Sequence, residues 1–280
     1  HMGFGLFISD TNFREAILEC DELLGTQLPA SILSILYPFR NQEWAAVLDQ
    51  AAFSQPILLA LQHALVELWH AKGITQGITV GHSIGELTAA HAAGVISLRG
   101  LLNLGSARGR LIQALPLDSC MMSVRASKPA VLHALGRLVQ DESSCVALAA
   151  VNGTRNTVIS GHVSAVKLAI EKLCCTSFRV AASHADHSPL MEPVLENLEK
   201  VAVVQFHDAM APASCVFSTV TGSMISDLSS ARHWTHHTVQ SVRFDAAITN
   251  LHCCGSRLFI SMGGAMLSRM AAKCVGEDAS

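Results

Sequence analysis

Charge is scarce in this chain. Its 280 residues include 19 Lys+Arg and 22 Asp+Glu, or 15% charged, against roughly 25% in an ordinary soluble domain. The net charge is −3 and no Lys/Arg cluster interrupts the sequence, so the electrostatic footprint of a nucleic-acid binder is missing. Long hydrophobic runs are also lacking. The longest apolar stretch, Pro56 to Trp69, is broken by Gln62, His63 and Glu67, and it falls short of the about 20 residues that cross a membrane. The nine cysteines contain no CxxC pair; they include two adjacent doublets, Cys174–Cys175 and Cys253–Cys254. This pattern excludes a disulfide framework or zinc site and points to buried thiols in a reducing compartment. No signal peptide, repeat, Pro-rich linker or low-complexity tract is visible, so a cytoplasmic location is expected. His1-Met2 reads as a vector-derived remnant ahead of Gly3.

Apolar residues are abundant instead. Half of the chain is hydrophobic and the mean hydropathy is +0.37, which supports a large core and excludes intrinsic disorder. The length suggests about two domains. Hydrophobic periodicity alternates between helix and strand, the pattern of an α/β protein. A helix is expected from Asn12 to Leu24 with Phe13, Ile17 and Leu24 inward. Ser54 can cap a second, with Pro56 in its first turn and its end near Gly73. The run Ile78-Thr79-Val80 reads as a strand, Glu86 to Ala93 as a helix, and Ser97 as the cap of another. Between Cys120 and Ala182 the rhythm changes. Strands at Met121–Val124, Val146–Val151, Thr157–Ile159 and Phe178–Ala181 alternate with helices at Pro129–Val139 and Val163–Leu173, giving the order βαββαβ of a small ferredoxin-like unit. Helix Leu190–Val203 follows. The expected division is 1–119 and 185–280 for a larger α/β-hydrolase-like subdomain with a parallel sheet, with 120–184 inserted into it.

Gly81-His82-Ser83-Ile84-Gly85 fits G-x-S-x-G between a strand and a helix. A serine on this tight turn projects its hydroxyl outward as a nucleophile. The Ile84 N–H, at the start of the helix, can donate to a developing oxyanion. A turn without chemistry gives the same local pattern, and His82 is assigned a local structural role.

Extended to Glu86, the motif resembles the GHSxGE of the malonyl-CoA:acyl carrier protein transacylase family, and within it the acyltransferase domains of modular polyketide synthases. The likeness spans nearly the whole chain. Ser54-Gln55-Pro56 through Trp69 is similar to the family's helix before the nucleophile strand. Ala107-Arg108-Gly109-Arg110-Leu111, Ala114-Leu115-Pro116, Ala150-Val151-Asn152-Gly153, His187-Ser188-Pro189-Leu190-Met191 and Val242-Arg243-Phe244 follow in the family's order.

The resemblance implies roles for particular residues. His187, one of 14 histidines, is the implied base for Ser83, oriented by a backbone carbonyl near Val242-Arg243-Phe244. Arg108 is the implied substrate arginine, 25 residues after Ser83; a guanidinium fork suits the free carboxylate of a malonyl-type unit. Arg110 is assigned to solvent as a helix-end charge. His184, Asp186 and Asn152 complete the implied substrate-binding set. The implied reaction is ping-pong acyl transfer from an acyl-CoA, through an ester on Ser83, to the phosphopantetheine thiol of an acyl carrier protein. No bound metal or redox cofactor is needed, and neighbouring synthase domains are the other implied partners.

The match departs in two places. Ile84 favours malonyl, but His184-Ala185-Asp186-His187 carries Asp where the malonyl signature has Phe. An acid beside the base can raise the pKa of His187 or repel a carboxylate substrate. The family's opening segment, which supplies a core strand and a Gln loop with the second oxyanion donor, is not found. Phe259-Ile260-Ser261-Met262-Gly263-Gly264 replaces a run like FIEIGPHP. A hydrophobic groove is therefore expected beside the central sheet. Two other readings stay open: an α/β serine hydrolase using a late histidine such as His252, and a catalytically weak docking domain.

Overall fold

The computed structural model describes residues 2–37, 47–75, 77–138 and 145–276; His1 and Val139 lie outside them. The elements run α1 (Phe4–Ser9), α2 (Thr11–Leu24), α3 (Ile32–Leu36), α4 (Ala51–Ala71), β1 (Ile78–Val80), α5 (Gly85–Ala92) and α6 (Leu98–Gln113). Then come β2 (Ser119–Val124), α7 (Lys128–Leu135), β3 (Val146–Gly153), β4 (Asn156–His162), α8 (Val163–Leu173) and β5 (Ser177–Arg179). A 3-10 helix, Pro189–Val194, leads into α9 (Leu195–Gln205), β6 (Cys215–Ser218), β7 (Ser223–Ile225), α10 (Ala231–Val239), β8 (Val242–Arg243), α11 (Phe244–Cys253) and α12 (Met266–Val275).

The fold is mixed α/β, with two sheets among the described residues. In the larger part β1 pairs parallel with β6, which pairs antiparallel with β7. The second sheet has the order β5-β2-β4-β3-β8. Its first four strands and helices α7 and α8 form the expected βαββαβ unit, with Val124, Val131, Ile159 and Val166 in its core. The parallel pairing of β8 with β3 ties this sheet to the chain that follows α10. β8 is two residues long, which hides it from a periodicity argument.

Helix α4 is the spine of the larger part and packs against α2 and α6. Phe13, Ile17 and Leu24 of α2 are buried, as their spacing predicts. Each such side chain contributes about 1.5–3 kcal/mol through burial. α4 begins before Ser54, because Gln50 caps it in an extended conformation and the Gln113 side chain takes the Ala51 N–H at 2.8 Å. Pro56 consequently lies inside the helix. At 21 residues α4 is long and apolar enough to cross a membrane, but most of its apolar window is buried inside the fold. The segment after His187 also differs: Pro189 and Pro193 hold it as a 3-10 turn before α9 starts at Leu195.

A groove of about 460 Å³ runs along the edge of β1 that pairs with no strand among the described residues, between α4, α5 and the extended chain at 256–262. Ile78, Leu258 and Ile260 expose apolar surface along it. The hydrophobic groove expected beside this sheet is therefore present. The expectation of buried thiols is corrected. All nine cysteines are free, but only Cys20 and Cys120 are buried, and Cys174, Cys215, Cys253 and Cys254 are exposed. The two doublets fall at or just beyond helix ends, where the chain turns at the surface.

Candidate active site

Ser83 sits on the sharp turn between β1 and α5 with φ +51°, in the left-handed region that non-glycine residues rarely adopt. Gly81 makes the turn feasible. A Cβ there would lie 2.2 Å from the backbone of Gly85 and Glu86. The turn's ladder begins with Gly85, Glu86 and Leu87 N–H donating to the carbonyls of His82, Ser83 and Ile84. The Ile84 N–H stands ahead of that ladder, where an oxyanion donor belongs.

His187 Nε2 lies 2.6 Å from Ser83 Oγ. Its Nδ1 is 2.9 Å from the Gln240 carbonyl. A carbonyl only accepts, so Nδ1 carries the proton and Nε2 is free to accept from the serine hydroxyl. Burial pushes the His187 pKa down to about 4; the Asp186 carboxylate works in the opposite direction and Arg108 in the same one. The imidazole is thus neutral near pH 7. The expected upward influence of Asp186 exists, but burial outweighs it. His187 also has a left-handed backbone, φ +60°, so both members of the pair occupy strained conformations.

Arg108 lies on α6 and is buried at 3% exposure. Gly109 next to it lets α6 approach α4 closely, since a Cβ there would be 2.4 Å from the Ala51 carbonyl. The guanidinium Nε donates to Thr238 Oγ1 at 3.5 Å, and Nη2 is 3.7 Å from Asp186 Oδ1. Arg110 is exposed.

Ser83, Ile84, Arg108, His184 and Asp186 share one cavity of about 210 Å³. His184 presents a wall to it, with both ring nitrogens already used: Nε2 donates to Leu115 O at 3.1 Å and Nδ1 accepts from Ser183 Oγ at 2.8 Å. Asn152 does not line it. Its Oδ1 accepts from His82 Nε2 at 2.8 Å, while His82 also packs on Phe244. These two buttress the turn from behind, the local role expected of His82. His252 lies at the end of α11, beside Arg257.

The sequence matches the profile of a family described as acyl transferase domain over residues 1–273. The chain belongs to this family. It is 37% identical over 274 residues to the polyketide synthase GfsA of Streptomyces halstedii, covering 95% of this chain and 4% of that protein. It is likewise 37% identical over 269 residues to the mycoketide-CoA synthase of Mycobacterium tuberculosis, covering 94% of this chain and 6% of that one. Among solved structures, the acyltransferase domain from the second module of the salinomycin polyketide synthase superposes with a TM-score of 0.88 at 34% identity, over 98% of this chain and 62% of that one. The chain thus spans a small part of the curated relatives it matches.

Within this acyltransferase domain, sequence reasoning missed the buried cluster that holds the site. Glu86, fully buried, accepts from the Thr219 N–H and Oγ1 at 2.8 Å each, and from His233 Nε2 at 2.9 Å. Burial pushes its carboxyl up, but the His233 hydrogen bond and the neighbouring imidazoles outweigh this and hold it at about 2. His237 Nε2 donates to the Ser83 carbonyl at 3.0 Å, and burial lowers its pKa to about 3. The end of α10 is therefore a hub. His237 holds the nucleophile's backbone. Thr238 accepts from Arg108 through its hydroxyl and from the His187 N–H through its carbonyl. Gln240 orients the imidazole, two residues before the segment expected to supply that carbonyl. The available sequence signal was a lone acid at the start of a helix, Glu86, together with the run His233-Trp234-Thr235-His236-His237.

Proposed function

We propose that this domain transfers a malonyl-type acyl group from coenzyme A to the phosphopantetheine thiol of an acyl carrier protein, within a cytoplasmic polyketide synthase. The observation that carries the reading is the 2.6 Å contact between Ser83 Oγ and a neutral, tautomerically fixed His187, on the same cavity as a buried arginine.

His187 Nε2 takes the Ser83 proton as Oγ bonds to the thioester carbonyl carbon. The Ile84 N–H donates to the oxyanion that forms. Collapse breaks the carbon–sulfur bond, and the coenzyme A sulfur leaves with the proton held on His187. In the second half His187 deprotonates the carrier thiol, whose sulfur attacks the seryl ester and releases Ser83 with its proton restored. Arg108 binds the free carboxylate of the acyl group, while His184 and Asp186 shape the cavity. Asn152 acts on this pocket through His82. The division expected from the sequence, with 120–184 inserted between 1–119 and 185–280, places the acyl pocket between the two subdomains, where access of water to the ester is restricted. The free thiols are compatible with a reducing compartment.

Malonyl-CoA and a pantetheinylated carrier protein supplied together test the reading. Malonyl carrier should accumulate, and His187→Ala should abolish it. Hydrolysis of malonyl-CoA that persists in the His187→Ala variant, with no carrier product in either protein, would contradict it.

A further inference from the structure

Three residues that line the cavity beside Ser83 each carry a buried polar atom without a hydrogen-bond partner among the described residues: Arg108 Nη2, Asp186 Oδ1 and Gln55 Oε1. Unpartnered buried polar atoms are uncommon in folded proteins and are expensive. The residues that carry them line one small space, whose lining also includes Leu58, Ile84 and Ile112. The inventory is one donor and two acceptors. A plain malonyl group serves the donor with its carboxylate and gives the acceptors nothing.

Charge leads the same way. Arg108 is buried, and its Nη2 is already 3.7 Å from the Asp186 carboxylate. A bound carboxylate must share that guanidinium with Asp186, so two like charges compete for one cation. An acyl group carrying a hydrogen-bond donor beside its carboxylate relieves this, because Asp186 then has a partner of its own. A hydroxyl and a carboxylate on adjacent carbons require complementary atoms that are neighbours, as Nη2 and Oδ1 are.

We infer that Asp186 determines specificity and selects an extender unit with a hydrogen-bond donor on its α-carbon, of the 2-hydroxymalonyl type. The hydroxyl donates to Asp186 Oδ1, with Gln55 Oε1 as a second acceptor, while the carboxylate takes Arg108. The inference rests on the acyltransferase reading above and names the substrate class of the same site.

The test uses pantetheine thioesters of 2-hydroxymalonate, 2-methylmalonate, malonate and acetate, with acylation of the intact protein followed by mass spectrometry. Hydroxyl and methyl are close in size, so their ratio isolates the donor. A site built to bond a hydroxyl rejects the analogue lacking it strongly. With Asp186 partly open to solvent, 2-hydroxymalonyl should load about tenfold to a hundredfold faster than 2-methylmalonyl. Asp186→Phe should bring that ratio close to one and raise malonyl loading; Asp186→Asn, which keeps an acceptor, should retain part of the preference. Equal loading of the hydroxyl and methyl compounds by the unaltered protein overturns the inference and leaves the acyltransferase reading standing. So does acetyl loading fastest, which would mean that Asp186 merely neutralises Arg108. No acylation by any thioester overturns both.

Discussion

His237 donates from Nε2 to the carbonyl oxygen of Ser83 at 3.0 Å, across 154 residues of sequence. The bond holds the nucleophile's peptide in a left-handed turn that its side chain alone would not favour. Replacing His237 by Ala removes one buried donor, a change of about 1–3 kcal/mol. Acylation should fall about tenfold with KM little altered, since the loss is in the aim of Oγ. His237→Asn, which keeps an N–H, should recover most of the rate in the same assay. A KM effect alone would place His237 in substrate binding instead.

Arg108 should separate charged from neutral acyl groups. Arg108→Ala removes a buried, charge-assisted donor, so malonyl loading should drop by about a hundredfold or more while acetyl loading changes little. Paired single-turnover measurements with the two thioesters read this directly. A parallel loss of both rates would show that Arg108 supports the fold and does not discriminate substrates.

Gly81 tests the turn itself. An alanine Cβ would sit 2.2 Å from the Gly85 and Glu86 backbone, where no flexible side chain can give way. Gly81→Ala should cost about 1–3 kcal/mol or more of stability in urea unfolding, as overpacking does. It should also nearly abolish acylation, because Ser83 and Ile84 must shift. Full activity in this variant would mean that the turn tolerates another path.

Acid should act on both rate and stability. The His187 pKa is held near 4 by burial, so the acylation rate of the free protein should be level near neutral pH and fall only as pH approaches about 4. The His63 and His237 pKa values are also lowered by burial, to about 4 and about 3. An unfolded chain protonates these rings near their ordinary value and so binds more protons than the folded one below about pH 6.5. Stability is therefore fully present above that pH and is lost as pH falls. Glu86, held at about 2, adds a loss in the same direction below its ordinary range. Urea midpoints at pH 7.5, 6 and 5 should decline in that order; a flat series would contradict the burial of neutral imidazoles.

Features carried by neighbouring residues were legible in the sequence. The strand–turn–helix around Ser83, the Ser97 cap, the helix Val163–Leu173 and the buried face of α2 follow from local chemistry. The positions of Arg108 and His187 followed only from the ordered motifs. Features fixed by partners distant in sequence were not legible. The start of α4 is decided by Gln113, 62 residues away from the N–H it takes. Glu86 is matched by His233 and Thr219 across more than a hundred residues. The carbonyl that orients His187 belongs to Gln240 because that residue turns extended after α10 and withdraws its carbonyl from the helix. Asp186 was visible as a departure in the sequence, but the unpartnered atoms that give it a use exist only in three dimensions.

The central claim is a covalent acyl group on Ser83, and intact mass after mixing with malonyl-CoA tests it most directly. The unaltered protein should gain one malonyl group, slowly relative to a better-matched extender, and peptide mapping should place it on Ser83. Ser83→Ala should gain none. A protein that stays unmodified with every acyl thioester offered, or an adduct that persists in Ser83→Ala, would contradict the account.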